Sequence, residues 1–247
     1  MTNQQKIAIV GGTAGIGLAL ARLAGDAGVK VYLGGSSQSK LDQALRQLDG
    51  KAKGELVDAR DEDSIRRFFL KVGELDHVVS TIGVPYQAAP VLDGRRANYE
   101  ELFSVKYWGQ FFVAKHATRQ LAATGSVTFT SGILSHRPAE GFSVLASVNA
   151  GVEALARTLA LEYAPRRVNV VCPGFIDTEK LHADLPMETR TAKLQAVKAD
   201  PLPTRRIGSP EDVARAYMYA IENPYMTGQT LVVDGGRFLL WFFAKIR

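Results

Sequence analysis

Val10-Gly11-Gly12-Thr13-Ala14-Gly15-Ile16-Gly17 follows an apolar run, Ile7 to Val10, and leads into residues 18–27, where alanine and leucine recur at helical spacing. The implied order is strand, glycine turn, helix. Three glycines allow a tight turn and a close backbone approach to a pyrophosphate, while the N–H groups and positive dipole at a helix start supply an anion site. A strand-to-helix turn with no ligand would use glycine as well. Position favours the dinucleotide, because the pattern falls at the first βα turn of a chain of suitable length.

The chain has 247 residues, 46% of them hydrophobic, enough to bury one substantial core and to form a single domain over 1–247. Its net charge is +5 and its pI is near 9.3. The positive charge comes from scattered pairs, Arg66-Arg67, Arg95-Arg96, Arg166-Arg167 and Arg205-Arg206, so it reads as solvated surface and not as a nucleic-acid patch. The lone cysteine, Cys172, excludes an internal disulfide and cannot build a zinc site by itself, and no metal is expected. The polar first six residues lack a signal-peptide pattern, which makes a cytoplasmic protein the expectation.

The spacing Gly11-x-x-x-Gly15-x-Gly17 resembles the cofactor loop of the short-chain dehydrogenase/reductase family, which usually has threonine where this chain has Val10. The resemblance covers nearly the whole chain. It implies a Rossmann-like, doubly wound α/β domain with a mostly parallel seven-stranded sheet, and a cofactor loop that includes Gly11, Thr13, Gly15, Ile16 and Gly17. After a second strand at Val29 to Leu33 comes Gly34-Gly35-Ser36-Ser37, with no acid to bond a ribose 2′-hydroxyl. Ser36 stands where NADP-preferring relatives often carry arginine, so NADP(H) is favoured over NAD(H), unless these serines only form a turn.

Residues 54–59 read as a third strand ending in an acid, and similar proteins set an aspartate there against the adenine, which makes Asp58 and Ala59 the matching pair. His77-Val78-Val79-Ser80 reads as the fourth strand, with His77 at the surface or a strand edge. Ser80-Thr81-Ile82-Gly83 replaces the family's Asn-Asn-Ala-Gly turn and keeps only Gly83, which still permits backbone approach to the cofactor. A long helix is expected over 99–123, its aromatic side serving core or subunit interface. Within it Lys106 aligns with the family asparagine whose backbone anchors a proton-relay water; the alternative is a lysine snorkelling to solvent.

The fifth strand is read at 125–132 and the next helix at 144–163, with apolar residues at 145, 148, 152, 155 and 159. In the family that helix carries Tyr-x-x-x-Lys, a spacing that puts both groups on one face so that the ammonium holds the nicotinamide ribose and tunes the tyrosine acid. Here Leu145 stands at the tyrosine and Asn149 at the lysine. Leucine has no proton to give, and asparagine can bond a ribose hydroxyl without supplying charge. The family serine falls at Gly132; Ser131, one residue earlier, serves only if the strand end twists or bulges. His136 and Arg137 offer replacement polar groups, an acid near neutral pH and an oxygen-binding cation, or are simply loop residues. The catalytic candidates are therefore Ser131, Lys106 and His136.

Residues 168–178 resemble the strand and turn that hold the nicotinamide carboxamide and the pyrophosphate, adding Pro173, Gly174, Ile176 and Thr178 to the cofactor set, with Cys172 as packing. The polar segment 179–203 resembles the family's substrate cover. Ser209-Pro210-Glu211-Asp212 signals a helix start, and residues 227–236 match the family's last strand closely. The apolar tail, 237–247, is too short to span a bilayer, and a pocket or subunit seam is its expected cover. Together these features imply a homodimer or homotetramer acting on a small molecule. Three functions remain open: a hydride-transferring oxidoreductase with a non-standard or absent acid, a redox-neutral cyclase or isomerase, and a non-catalytic nucleotide-binding protein.

Overall fold

Ile7 and Ile9 point to one side of β1 (Lys6–Val10) and Ala8 and Val10 to the other, and all four are buried, as in a strand covered by helices on both faces. The computed structural model describes residues 5–86, 88–178 and 202–240. Around β1 lie β2 (Lys30–Gly35), β3 (Ala52–Leu56), β4 (Leu75–Ser80), β5 (Leu121–Thr130), β6 (Arg167–Pro173) and β7 (Thr230–Val233). Their order is β3-β2-β1-β4-β5-β6-β7, and every pairing is parallel. The order reverses between β1 and β4, which opens a crevice at the carboxyl ends of the strands, the place where such sheets bind ligands.

One face packs against α1 (Gly15–Asp26), α2 (Gln38–Gln47) and α7 (Pro210–Glu222), through Leu20, Leu41, Val213 and Tyr217. The other packs against α3 (Glu62–Val72), α5 (Gly109–Ala117) and α6 (Ser143–Glu162), through Phe68, Phe69, Val113, Val152 and Ala156. Although α6 is long and apolar enough to cross a membrane by length and composition, its side at Val148, Val152 and Ala156 is buried in the core.

Several boundaries differ from the sequence reading. The helix expected over 99–123 is three pieces: α4 (Arg96–Leu102), a π-helical turn (Phe103–Trp108) and α5, which ends at Ala117. Leu121 has already entered β5, because it pairs with Leu75 of β4. That strand stops at Thr130, which leaves Ser131 and Gly132 beyond it. Similarly β3 ends at Leu56, so Asp58 and Ala59 follow the strand instead of closing it. His77 is neither at the surface nor at an edge. It is buried in β4, between β1 and β5, with Nδ1 2.9 Å from Ser126 Oγ. Burial holds its pKa down at about 4, so the ring is neutral at neutral pH.

Candidate active site

The glycine loop leaves β1 with Gly11 at φ +90°, its N–H donating to the Gly34 carbonyl at 2.8 Å. A Cβ on Gly11 would lie 2.7 Å from Thr81 Oγ1, and one on Gly17 would lie 2.3 Å from the Gly11 carbonyl oxygen. Both positions therefore need glycine on steric grounds. Thr81 also donates from Oγ1 to the Gly11 carbonyl at 2.9 Å, so the altered turn after β4 buttresses the loop through a side chain whose role the sequence did not disclose.

Helix α1 begins at Gly15, φ +51°, behind Ala14, which offers no side-chain cap. The first-turn N–H groups of Gly15, Ile16 and Gly17 have no partner among the described residues, and they form the donor set that a pyrophosphate requires. Thr13 packs into the space beside Gly35, where a Cβ would meet its Cγ2 at 2.4 Å. At the end of β2, Ser37 caps α2 by accepting from the Lys40 N–H, whereas the exposed Ser36 hydroxyl has no partner among the described residues. Asp58 is gripped by Arg60 through Nε at 3.0 Å and Nη2 at 2.9 Å, which lowers its pKa and fixes the carboxylate. Ala59 supports the start of α5, since a Cβ on Gly109 would lie 3.0 Å from its carbonyl oxygen.

On the far wall, Gly174 follows Pro173 and donates to Val233 at 2.9 Å. A Cβ on Gly174 would lie 2.6 Å from Asp234 Cα. Ile176 bridges to Gly208, and Thr178 reaches back across the crevice, its Cγ2 3.4 Å from where a Gly15 Cβ would sit. The expected pyrophosphate-binding residues are thus brought together. Nearby, Val84, Tyr86, Tyr99 and Leu102 wall a cavity of about 390 Å³ just past Gly83.

The end of β5 is differently built. Asn149 is 1% exposed and donates from Nδ2 to the Gly132 carbonyl at 3.2 Å, while its Oδ1 is buried without a partner. That orphaned acceptor suits a ribose hydroxyl. A Cβ on Gly132 would lie 2.9 Å from Asn149 Nδ2, so the family serine and this asparagine rotamer exclude one another. Ser131 does not supply the missing hydroxyl. It is buried, its Oγ lacks a conventional partner, and it lies against the Cys172 thiol instead of entering the crevice. Burial pushes that thiol up to about 11, which leaves Cys172 protonated packing.

Lys106 sits in the π-helical turn and does not snorkel outward; its Nζ donates to the Ser131 carbonyl at 3.0 Å. His136 Nε2 lies 3.0 Å from Oε2 of Glu153, a buried residue that the sequence reading passed over. Ser135 Oγ lies 2.7 Å from Glu153 Oε1 and 2.9 Å from the Gly132 carbonyl. Arg137 is half-buried, and its guanidinium has no hydrogen bond or ion pair among the described residues. The substrate segment, 179–203, falls outside the described residues except for Leu202 and Pro203, as does the tail beyond Leu240.

Comparison with known proteins agrees with this geometry. A family model described as Enoyl-(Acyl carrier protein) reductase matches residues 11–237. A short-chain dehydrogenase/reductase of Stachybotrys chlorohalonatus is 34% identical over 250 residues, covering 95% of this chain and 97% of the relative. A small-chain dehydrogenase solved in complex with NADPH is 34% identical, with a TM-score of 0.84 over 96% of this chain and 100% of the other. The MalC Reductase/Diels-Alderase of Malbranchea aurantiaca is 30% identical, with a TM-score of 0.86 over 96% of each chain.

Proposed function

The chain belongs to the short-chain dehydrogenase/reductase family, and from that premise we propose that it is an NADP(H)-dependent oxidoreductase acting on a carbonyl or an already activated, iminium-like substrate. The observation that carries this reading is the pairing of an uncapped α1 N-terminus and sterically required glycines with Leu145 and Asn149 where the family has its acid and its ammonium. The first part retains the dinucleotide. The second removes the usual proton donor while keeping a group able to hold a ribose.

When bound, the cofactor supplies hydride equivalents, and the chain's own residues hold and aim it. Gly15, Ile16 and Gly17 offer N–H donors to the pyrophosphate, with Thr178 opposite. The exposed Ser36 hydroxyl, without a partner among the described residues and in a stretch, 34–40, that carries no acid and ends in an exposed Lys40, favours a 2′-phosphate. Asn149 Oδ1, buried and without a partner among the described residues, would accept from the nicotinamide ribose. Arg137, half-buried and without a partner among the described residues, can bind a substrate oxygen. Tyr86 and Tyr99 in the cavity near Gly83 suit a ring-bearing substrate, and Glu101 on the same wall suits one that also carries polar groups. A cytoplasmic location fits this soluble chemistry. Exposed Phe103, Trp108 and Leu161 on the α4–α6 side suggest a homo-oligomer, which static light scattering would detect as a mass above that of one chain.

A panel of ketones and preformed cyclic iminium ions, with NADPH consumption and product mass followed together, tests the reading. Reduced product matched by NADPH loss is the expected result. Product without NADPH loss would favour the redox-neutral cyclase, a reading supported by the likeness to a reductase that is also a Diels-Alderase. Cofactor binding with silence on every substrate would favour a non-catalytic nucleotide-binding protein.

A further inference from the structure

Ser135 and His136 in the loop after β5 meet Glu153 on α6, one helical turn beyond Asn149. The Glu153 side chain is 6% exposed, and a carboxylate so buried is costly unless it is paired and hydrogen-bonded. Both of its oxygens are engaged, Oε1 with Ser135 Oγ at 2.7 Å and Oε2 with His136 Nε2 at 3.0 Å. The imidazole is therefore held by a fixed charge. An Nε2–H donated to Glu153 leaves Nδ1 as the working nitrogen, and Nδ1 has no partner among the described residues. The His136 side chain is 31% exposed, with Phe238 edge-on at 5.9 Å, so its ring is open to solvent on one side and sheltered on another.

We propose that His136 is the proton donor for carbonyl substrates and that Glu153 is its positioning residue, an inference that rests on the hydride-transfer reading above. The step balances as follows. The carbonyl carbon receives a hydride from the reduced nicotinamide and forms a C–H bond, while the π electron pair moves to oxygen. That oxygen forms an O–H bond with the proton on Nδ1 of His136 in its doubly protonated imidazolium form, and the Nδ1–H bond breaks. The ketone is reduced to an alcohol, the cofactor is oxidised, and neutral His136 recovers its proton from solvent. Glu153 takes no proton; it orients the ring and stabilises the imidazolium, as a buried carboxylate does for a catalytic histidine elsewhere.

An iminium ion needs hydride alone, whereas a ketone needs hydride and a proton, so the two substrates separate the donor from the rest of the site. Initial rates with NADPH would be measured on a cyclic ketone and on an N-methyl dihydroisoquinolinium ion, for wild type, Glu153→Gln, His136→Gln and the double variant. Removing a positioned acid costs about 10²- to 10⁴-fold. Ketone reduction should fall by about that factor in either single variant and by no more in the double, while iminium reduction holds. Glu62→Gln, which releases the partly buried His116 pair at 2.9 Å on α3 and α5, is the control and should change neither rate. The ¹⁵N spectrum of His136 should show Nε2 protonated and hydrogen-bonded in wild type, and that hydrogen bond lost or weakened in Glu153→Gln. Both rates falling together would reduce Glu153 to a scaffold, and an unchanged ketone rate would remove His136 as donor.

A further outcome would also overturn the proposal. The Cys172 thiol lies within 4.8 Å of the His136 and Glu153 ligand atoms. Thiolate-to-metal absorption on cobalt(II) titration, abolished by Cys172→Ser, would assign the cluster to a metal instead. A wild type that reduces neither substrate would sink the hydride reading itself, a result distinct from active enzyme with indifferent variants.

Discussion

The glycine loop at 11–17 and the turn of α6 at 145–149 lie at the carboxyl ends of strands in the same sheet, yet they respond differently to the loss of family residues. In the loop Gly11, Gly12 and Gly17 are enforced by close neighbours and Gly15 by its positive φ, and the turn after β4 contributes Thr81 as a buttress to Gly11. In α6 the resemblance puts Leu145 and Asn149 at the family's tyrosine and lysine, and the residues around them make contacts of their own. Gly132 makes room for Asn149, Lys106 turns to the Ser131 carbonyl, and Glu153 gathers Ser135 and His136. One end keeps the steric pattern of a glycine turn at a helix start. The other joins Asn149, Gly132, Ser135, His136 and Glu153 in one set of contacts, the arrangement on which the proposed proton donor rests.

The largest test of that contrast is Gly17→Ala. The new Cβ would lie 2.3 Å from the Gly11 carbonyl oxygen and 2.6 Å from Thr81 Oγ1, and backbone cannot yield as a flexible side chain can. Displacing the start of α1 should weaken NADPH binding by about 3 kcal/mol, roughly 100-fold in Kd by fluorescence titration. Affinity within a few-fold of wild type would break the comparison, because the loop would then not be the enforced end of the site.

A smaller effect sharpens the other side. Gly132→Ser restores the family residue but sets its Cβ 2.9 Å from Asn149 Nδ2. Overpacking of this kind typically costs about 1–3 kcal/mol. In an Asn149→Ala background the clash disappears, so urea unfolding of the four proteins should give a coupling energy of about 1 kcal/mol or more in favour of the double variant. Additive losses would show that Gly132 and Asn149 are not coupled through this contact.

The same contrast explains what the sequence disclosed. A glycine turn between a strand and a helix is local, so the loop and the doubly wound order could be read from adjacent residues. Helix α6 was read as an apolar stripe at 145, 148, 152, 155 and 159, while the buried face also holds Asn149 and Glu153. A charged residue four positions after Asn149 and next to Val152 was the available signal. Its partner, His136, lies in another loop, and only the fold joins them. His77 was misplaced for a related reason: a strand's own residues do not say whether it ends at an edge or, as β4 does, between two neighbours. Lys106 depended on a π-helical turn that periodicity cannot resolve.

The smallest prediction compares two helix starts on one face of the sheet. Helix α7 begins with a complete capping box, Ser209 accepting from the Asp212 N–H while Asp212 accepts from the Ser209 N–H at 2.8 Å, with Pro210 at the first turn. Arg206 adds a second hold on Asp212 at 2.8 Å, and these donors keep that carboxyl well below the usual carboxylate range. Helix α1, packed in the same apolar cluster, begins at Ala14 with no cap at all. If the bare end is reserved for an anion and the capped end only holds structure, the two should respond oppositely to ligand. Ser209→Ala should cost about 1 kcal/mol, a fall in Tm of roughly 2–4 °C for a chain of this size, and leave NADPH affinity untouched. Ala14→Ser, which offers α1 a cap of its own, should raise stability without ligand by a few tenths to about 1 kcal/mol and weaken NADPH binding by competing for the same N–H groups. Tighter NADPH binding in Ala14→Ser would mean that the first turn of α1 is not where the pyrophosphate sits.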